Sequence, residues 1–263
     1  MTYKGIVFFD YDGTLADEKE GIYYPTDTTK SAIKKLQENG YLAILATGRS
    51  KCCVPETGID FDGYVTSNGG YSEVLKKPTH SAGFNSDEVL ELSRKFEEIG
   101  LCYSWENQQN CFSDCMSEPK FLAMLDNFKL PRSVFIPKPD TVPPDISKLL
   151  ITYDDDLQFD KLKEYYNGRF LFDKHRGFMS ADVAKYGVEK SLGVRAIAGH
   201  LEIDADNIYA FGDGTNDYGM LKYAGHAICM GYHAPVLEEI CETITDTVIN
   251  EGIYKALKKY NLI

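Results

Sequence analysis

The sequence predicts an α/β protein: a Rossmann-like, doubly wound parallel sheet interrupted by a second, α+β domain. Three observations carry this expectation. Short unbroken apolar runs alternate with amphipathic stretches, the pattern of strands buried on both faces and of the helices that cover them. These runs sit towards the two ends of the chain, and several stop abruptly at acidic or glycine-rich segments. The middle, residues 82–184, has another texture, with paired strand-like runs and a proline-rich crossing at Pro137, Pro139, Pro143 and Pro144.

The elements follow in order. Ile6-Val7-Phe8-Phe9 reads as the first buried strand. Thr28 to Asn39 carries Ile33 and Leu36 among charged neighbours and ends at Asn39-Gly40, so it reads as a helix. Tyr41 to Ala46 is the next strand. In the middle segment we expect helices over Ser86–Ile99, Glu118–Phe128 and Leu157–Tyr166, with strands around 101–112, 149–153, 169–172 and 178–183. Towards the end, Asn207–Phe211 and His226–Met230 read as strands, and Asn216–Tyr223 and Pro235–Cys241 as helices. The expected domains are therefore a core formed by 1–81 with 185–263, and an insertion formed by 82–184. Asp154-Asp155-Asp156 lacks the alternating spacing of a calcium loop and reads as a solvated turn.

Composition narrows the classes of function. The chain has 263 residues, 43% of them hydrophobic, and a net charge of −12. Such a chain can bury a core. Its acidic balance argues against partners that demand a surplus of Lys and Arg, so neither nucleic acid nor an anionic membrane surface is expected. The apolar run before Asp10 is only four residues long, Ile6 to Phe9, too short for a signal-peptide core, and a cytoplasmic protein, monomeric or weakly dimeric, is expected. The seven cysteines, at 52, 53, 102, 111, 115, 229 and 241, show no paired C-x-x-C units and are expected to be reduced, mostly buried thiols.

Four segments carry chemistry. Asp10-Tyr11-Asp12-Gly13-Thr14 follows the first strand, and carboxylates at a strand's carboxyl end face the crevice where open α/β sheets bind ligands. An ordinary Asp-Gly turn is the alternative. Gly212-Asp213-Gly214-Thr215-Asn216-Asp217 ends another apolar run. Mg²⁺ takes oxygen ligands in near-octahedral geometry, and Asp10 and Asp213 can supply them from neighbouring strand ends, although Asn216 can also serve only as a helix cap. Thr47-Gly48-Arg49 offers a hydroxyl, backbone N–H groups and a guanidinium for phosphate, or simply begins a loop. Lys190, in Gly187-Val188-Glu189-Lys190, enters the helix before the Asp213 strand; by itself it reads more readily as a solvated surface lysine, and its functional reading depends on the other three segments.

In this order the four segments resemble the motifs of the haloacid dehalogenase superfamily of phosphohydrolases, and the insertion resembles the C2-type cap of its Cof-like branch. Ser67-Asn68-Gly69-Gly70 is also similar to a segment of that branch. The resemblance implies that Asp10 attacks phosphorus to form an aspartyl-phosphate, while Asp12 is the acid and then the base. It implies Mg²⁺ held by Asp10, the Asp12 carbonyl and Asp213, with Asp217 orienting metal waters or Lys190. Thr47, Gly48, Arg49, Lys190 and Asn216 would hold the phosphoryl group. Ser191 stands where the family usually has glycine, and Lys185 competes with Lys190 for the lysine role. The expected activity is hydrolysis of a small phosphorylated metabolite, a sugar phosphate foremost. The alternatives are a phosphomutase and a catalytically silent phosphosugar-binding protein. Tyr103, Trp105, Glu106, Asn107, His175 and Arg176 either line a substrate pocket or pack the inserted domain; for Tyr103 and Trp105 packing is the preferred reading.

Overall fold

The computed structural model describes residues 3–175 and 177–263. Packing divides the chain into two compact units, Met1–Gly48 with Glu56–His80 and Glu189–Ile263, and Arg49–Pro55 with Ser81–Val188. In chain order the first unit begins with β1 (Gly5–Phe9), α1 (Asp27–Glu38), β2 (Tyr41–Ala46), β3 (Gly63–Thr66), β4 (Tyr71–Val74) and β5 (Lys77–Ser81). The second unit holds α2 (Ser86–Glu98), β6 (Cys102–Glu106), β7 (Cys111–Phe112), α3 (Pro119–Asn127), β8 (Phe135–Ile136), β9 (Lys148–Thr152), α4 (Asp156–Tyr166), β10 (Phe170–Lys174) and β11 (Ser180–Lys185). The chain then returns to the first unit with α5 (Lys190–Leu201), β12 (Ile208–Gly212), α6 (Tyr218–Tyr223), β13 (His226–Cys229), β14 (Thr243–Ile244) and α7 (Gly252–Lys259).

The first unit's sheet runs β14-β13-β12-β1-β2-β3-β4-β5. From β14 to β3 neighbouring strands are parallel, and β4 turns back antiparallel on β3. Every residue of β1 is buried, as a central strand covered on both faces requires. After β1 the chain adds strands on one side through β2, and after the insertion on the other through β12. That reversal places the carboxyl ends of β1, β2 and β12 at a topological switch point, where such sheets bind ligands. The helix α1 is started by the Thr26 hydroxyl accepting the Thr29 N–H and buries Thr29, Ala32, Ile33 and Leu36, one stripe at helical spacing. Burying Ile33 or Leu36 stabilises the unit by about 1.5–3 kcal/mol each.

The second unit is a largely antiparallel sheet in the order β10-β11-β9-β6-β7-β8, with β7 and β8 parallel. Alternation along β9 separates its two faces. Leu149 and Ile151 join a core with Val89, Leu92 and Phe96 of α2 and Phe159 and Leu162 of α4, whereas Leu150 joins Phe121, Met124 and Leu125 of α3. An Asn85/Glu88 capping box starts α2. Asp155 caps α4, Asp154 pairs with Lys120, and Asp156 pairs with Lys174, so the three acids act in capping and surface pairing.

Four features differ from the sequence expectation. Cys229 and Cys241 form a disulfide, which corrects the reading of all seven cysteines as reduced thiols. The segment 235–241 is not a helix but a single turn, Pro235–Leu237, after which the chain bends back to bring the two Cα atoms within 6.0 Å. Residues 49–55 pack with the second unit because Ser50 donates to Glu106 at 2.6 Å and Cys53 meets Cys111 at 3.3 Å, contacts with sequence separations that no local pattern reveals. Strands β3, β4, β5, β8 and β14 and helix α7 are absent from the sequence expectation. The strands are short, and pairing within the sheet defines them more than any apolar run.

Candidate active site

Strand register builds the site. Phe9 pairs with Leu45 on one side and with Phe211 on the other, so Asp10 leaves the sheet between the ends of β2 and β12. The Asp10 N–H donates to the Phe211 carbonyl at 3.0 Å, which ties this exit to β12. Beyond it, Tyr11 accepts through its carbonyl from the N–H groups of Thr14, Leu15 and Ala16, a tight loop that turns the chain back. Gly13 has φ +99°, and a Cβ there would lie 2.2 Å from the Asp213 carboxylate. Glycine is therefore required twice over, by its left-handed backbone and by the close approach of the two motifs.

Lys190, the first residue of α5, is wholly buried and forms the centre of the site. Its Nζ donates to Asp10 Oδ1 at 2.5 Å and to Asp217 Oδ1 at 2.6 Å. The other Asp217 oxygen accepts the N–H groups of Asp213 at 3.0 Å and Gly214 at 2.9 Å, so both its oxygens are engaged. The Thr14 hydroxyl donates to Asp213 Oδ1 at 3.2 Å. Lys185, the rival lysine, lies in the second unit and pairs with Glu88 at 3.0 Å.

Electrostatics follow from this crowding. Burial, with the Asp217 and Asp213 charges, pushes the Asp10 carboxyl well above the usual carboxylate range, against the opposing pull of Lys190. Burial and Asp217 likewise push Asp213 up to about 7. For Lys190, burial alone would favour the neutral amine, but Asp10 and Asp217 raise its pKa above the normal lysine value. Oxygens of Asp10, Asp213 and Asp217 all lie within 4.8 Å of one another, close to the span of about 4 Å between opposite ligands of an octahedral Mg²⁺. This all-oxygen, mutually repelling donor set fits a hard divalent cation. Asp10 and Asp213 suit direct ligation, whereas the saturated Asp217 suits the positioning of Lys190 and of the Asp213–Gly214 backbone.

The remaining sequence candidates divide between the units. Thr47 is buried at the end of β2, its N–H donating to Val65 and its carbonyl accepting from the Asn68 N–H. A Cβ at Gly48 would stand 3.0 Å from Asn68 Oδ1. Asn216 is exposed and donates to Asn68 Oδ1 at 3.1 Å, a partnership that the Ser67-Asn68-Gly69-Gly70 sequence alone does not reveal. Asn68 has φ +51°, in the left-handed region that Asn tolerates better than most residues. Its neighbour Gly69 (φ +93°) lets this turn abut the start of α5, since a Cβ would meet the Glu189 carbonyl at 2.0 Å. The Asp12 side chain is exposed. Arg49 belongs to the second unit, where its guanidinium donates to the Phe128 carbonyl at 3.1 Å.

In the second unit, Tyr103 and Trp105 are core residues: Tyr103 packs edge-on against Phe96, and Trp105 Nε1 donates to Ser93 at 2.8 Å. Glu106 is buried and accepts from Ser50. Asn107 accepts from the N–H groups of Gln109 and Asn110, a turn-closing role. His175 lies 2.7 Å from the Ser180 hydroxyl and 3.3 Å from Asp182. Arg176 lies outside the described residues. Among the described residues, no helix is long and apolar enough to cross a membrane.

The carboxylate cluster and its buried lysine stand at the switch point of a mostly parallel sheet, in a chain interrupted by a largely antiparallel α+β unit. The model of the haloacid dehalogenase-like hydrolases matches residues 7–257, and the chain belongs to that family. It is similar to 5-amino-6-(5-phospho-D-ribitylamino)uracil phosphatase YcsE of Bacillus subtilis (strain 168), 26% identical over 263 residues, with 98% of this chain and 96% of that one covered. A hypothetical protein from Geobacillus kaustophilus HTA426, 26% identical, superposes with a TM-score of 0.85 over 98% of this chain and 99% of the other. The haloacid dehalogenase subclass IIB sugar phosphatase BT4131, 22% identical, shares the fold, with a TM-score of 0.77 over 98% and 100% of the two chains.

Proposed function

We propose that the protein is a Mg²⁺-dependent phosphatase that hydrolyses small phosphorylated metabolites, sugar or polyol phosphates foremost, through an aspartyl-phosphate on Asp10. The observation that carries this reading is the buried Lys190, which holds Asp10 and Asp217 together at a strand end where Asp213 also arrives. In the proposed reaction an Asp10 oxygen forms a bond to phosphorus as the ester P–O bond breaks, and Asp12 gives its proton to the departing alcohol. Asp12 then takes a proton from water, whose oxygen displaces Asp10 and releases inorganic phosphate. An exposed Asp12 suits this work, because the group must meet both leaving alcohol and incoming water. Lys190 orients the Asp10 carboxylate, and Asp217 fixes Lys190. Mg²⁺, bound by Asp10, the Asp12 carbonyl and Asp213, would neutralise charge between the nucleophile and the phosphate. Thr47, Gly48 and Asn216 are proposed to hold phosphoryl oxygens.

The substrate class draws on the ribitylamino phosphate in the name of YcsE and the sugar phosphates in that of BT4131. The test is phosphate release from a panel of phosphorylated sugars, polyols and nucleotides, with and without Mg²⁺, for the wild type and Asp10→Asn. We expect Mg²⁺-dependent turnover that Asp10→Asn abolishes. Wild-type activity in that variant would remove Asp10 as the nucleophile.

A further inference from the structure

Three thiols of the second unit meet at one point, outside the carboxylate cluster. Cys52 and Cys53 lie on the short Lys51–Cys53 turn, and Cys111 begins β7. The Sγ atoms of Cys53 and Cys111 are 3.3 Å apart, those of Cys52 and Cys111 3.7 Å, and those of Cys52 and Cys53 4.0 Å. Each sulfur thus touches both others, although 58 residues separate Cys53 from Cys111.

These separations match a coordination polyhedron. Thiolates bound at about 2.3 Å to a tetrahedral zinc ion stand about 3.8 Å from one another, and the three observed distances bracket that edge. The surroundings are apolar on one side, since Cys53 and Cys111 pack with Phe121, Met124, Leu125 and Phe135. On the other side Cys52 is only half-buried, and its sulfur lies 3.5 Å from the Asn107 carbonyl oxygen, so solvent can supply a fourth ligand. Buried cysteines often serve merely as small hydrophobes. That role needs no mutual contact among three sulfurs drawn from two distant segments.

We propose that Cys52, Cys53 and Cys111 form a thiolate site for one soft, thiophilic cation, Zn²⁺, which fastens the 49–55 segment to the sheet of the second unit. Binding releases the three thiol protons to solvent, and Zn²⁺ with three thiolates carries a net charge of −1. Soft sulfur donors select against the hard cations that suit Asp10 and Asp213, so the two sites sort metals by donor type. The inference does not depend on the reaction proposed above.

The test uses the full chain, purified under reducing conditions, stripped of metal and titrated with Co²⁺ and then Zn²⁺. Cobalt bound by thiolates gives an intense sulfur-to-cobalt charge-transfer band in the near ultraviolet, whereas cobalt on the carboxylate cluster does not. We expect one equivalent of Co²⁺ to produce the band and Zn²⁺ to bleach it. Cys111→Ser should abolish it, and Cys115→Ser, outside the trio, should leave it unchanged. Cys111 is buried and its variant can misfold, so half-buried Cys52→Ser decides the question once circular dichroism shows it folded. Its Zn²⁺ affinity should fall by more than about 100-fold, since even groups behind the ligands change affinity by about 10–100-fold. A missing band in the reduced wild type, or an undiminished band in Cys52→Ser, would overturn the site. So would reduced, metal-free protein that forms a Cys53–Cys111 disulfide in air and takes up no Zn²⁺ when re-reduced.

Discussion

At the scale of single residues, two buried charges give different predictions. Lys190 is flanked by two buried carboxylates, those of Asp10 and Asp217. Lys190→Met leaves them facing each other in a buried space, which should cost about 3–5 kcal/mol of stability and lower phosphatase turnover by at least about 100-fold. Lys185→Met removes only a partly exposed pair with Glu88, worth within about 1 kcal/mol. Turnover and thermal melting of both variants check this; loss of activity in Lys185→Met with retention in Lys190→Met would reverse the assignment. Glu106 is the second case. Its carboxylate shares Lys148 with Asp182, but the ammonium is nearer Asp182, at 2.9 Å against 3.4 Å. Burial pushes Glu106 up to about 7, whereas Asp182, despite its own burial, is drawn down to about 2 by Lys148 and His175. A carboxyl whose folded pKa exceeds its unfolded value ionises first in the unfolded chain. Stability from Glu106 is therefore full below about pH 4.5 and lost as pH rises to about 7. Melting temperatures measured between pH 4.5 and 8 should fall less steeply for Glu106→Gln than for the wild type; parallel curves would refute the coupling.

At the scale of elements, the strand-end loops are held by close backbone approach. The loop after β1 comes so near Asp213 that Gly13 has no room for a Cβ. Gly13→Ala should displace Asp213 from Asp10 and lower kcat by about 100-fold, the cost expected of an ångström-scale misplacement. The sheet itself should survive, because β1 is fully buried before the loop begins. Steady-state kinetics with far-ultraviolet circular dichroism checks this, and unchanged kcat would show that the loop relaxes freely. The elements differed in how readily the sequence revealed them. Strands β1 and β2 were legible because each is an unbroken apolar run, and helices α1 and α2 because apolar residues recur among charged neighbours along each. Strand β3, four residues long, depends on pairing with Ile44, Leu45 and Ala46 for its identity. The 235–241 segment has helix-forming residues but closes a loop, and loop closure prevailed over propensity.

At the scale of the whole molecule, the motifs reveal the site's ingredients but not all their relations. Asp10 and Asp213 were visible as candidates because each ends an apolar run, whereas the roles of Asp217 and Lys190 came from the resemblance of the four motifs in their order. The grouping of Lys190 with Asp10, the engagement of both Asp217 oxygens and the bond between Asn216 and Asn68 required residues from separate segments to meet. The same holds for the Cys229–Cys241 disulfide and the Cys52–Cys53–Cys111 trio. Cysteine spacing describes distance along the chain, whereas bonding and coordination depend on distance in space. The sequence alone thus determined the α/β class, the two-part core and the acidic strand ends, because apolar periodicity and local turn chemistry are properties of neighbouring residues. Only the tertiary structure decided which lysine meets the nucleophile candidate, which segment joins which unit and which sulfurs touch, because those contacts arise when strand pairing and core burial bring distant parts of the chain together.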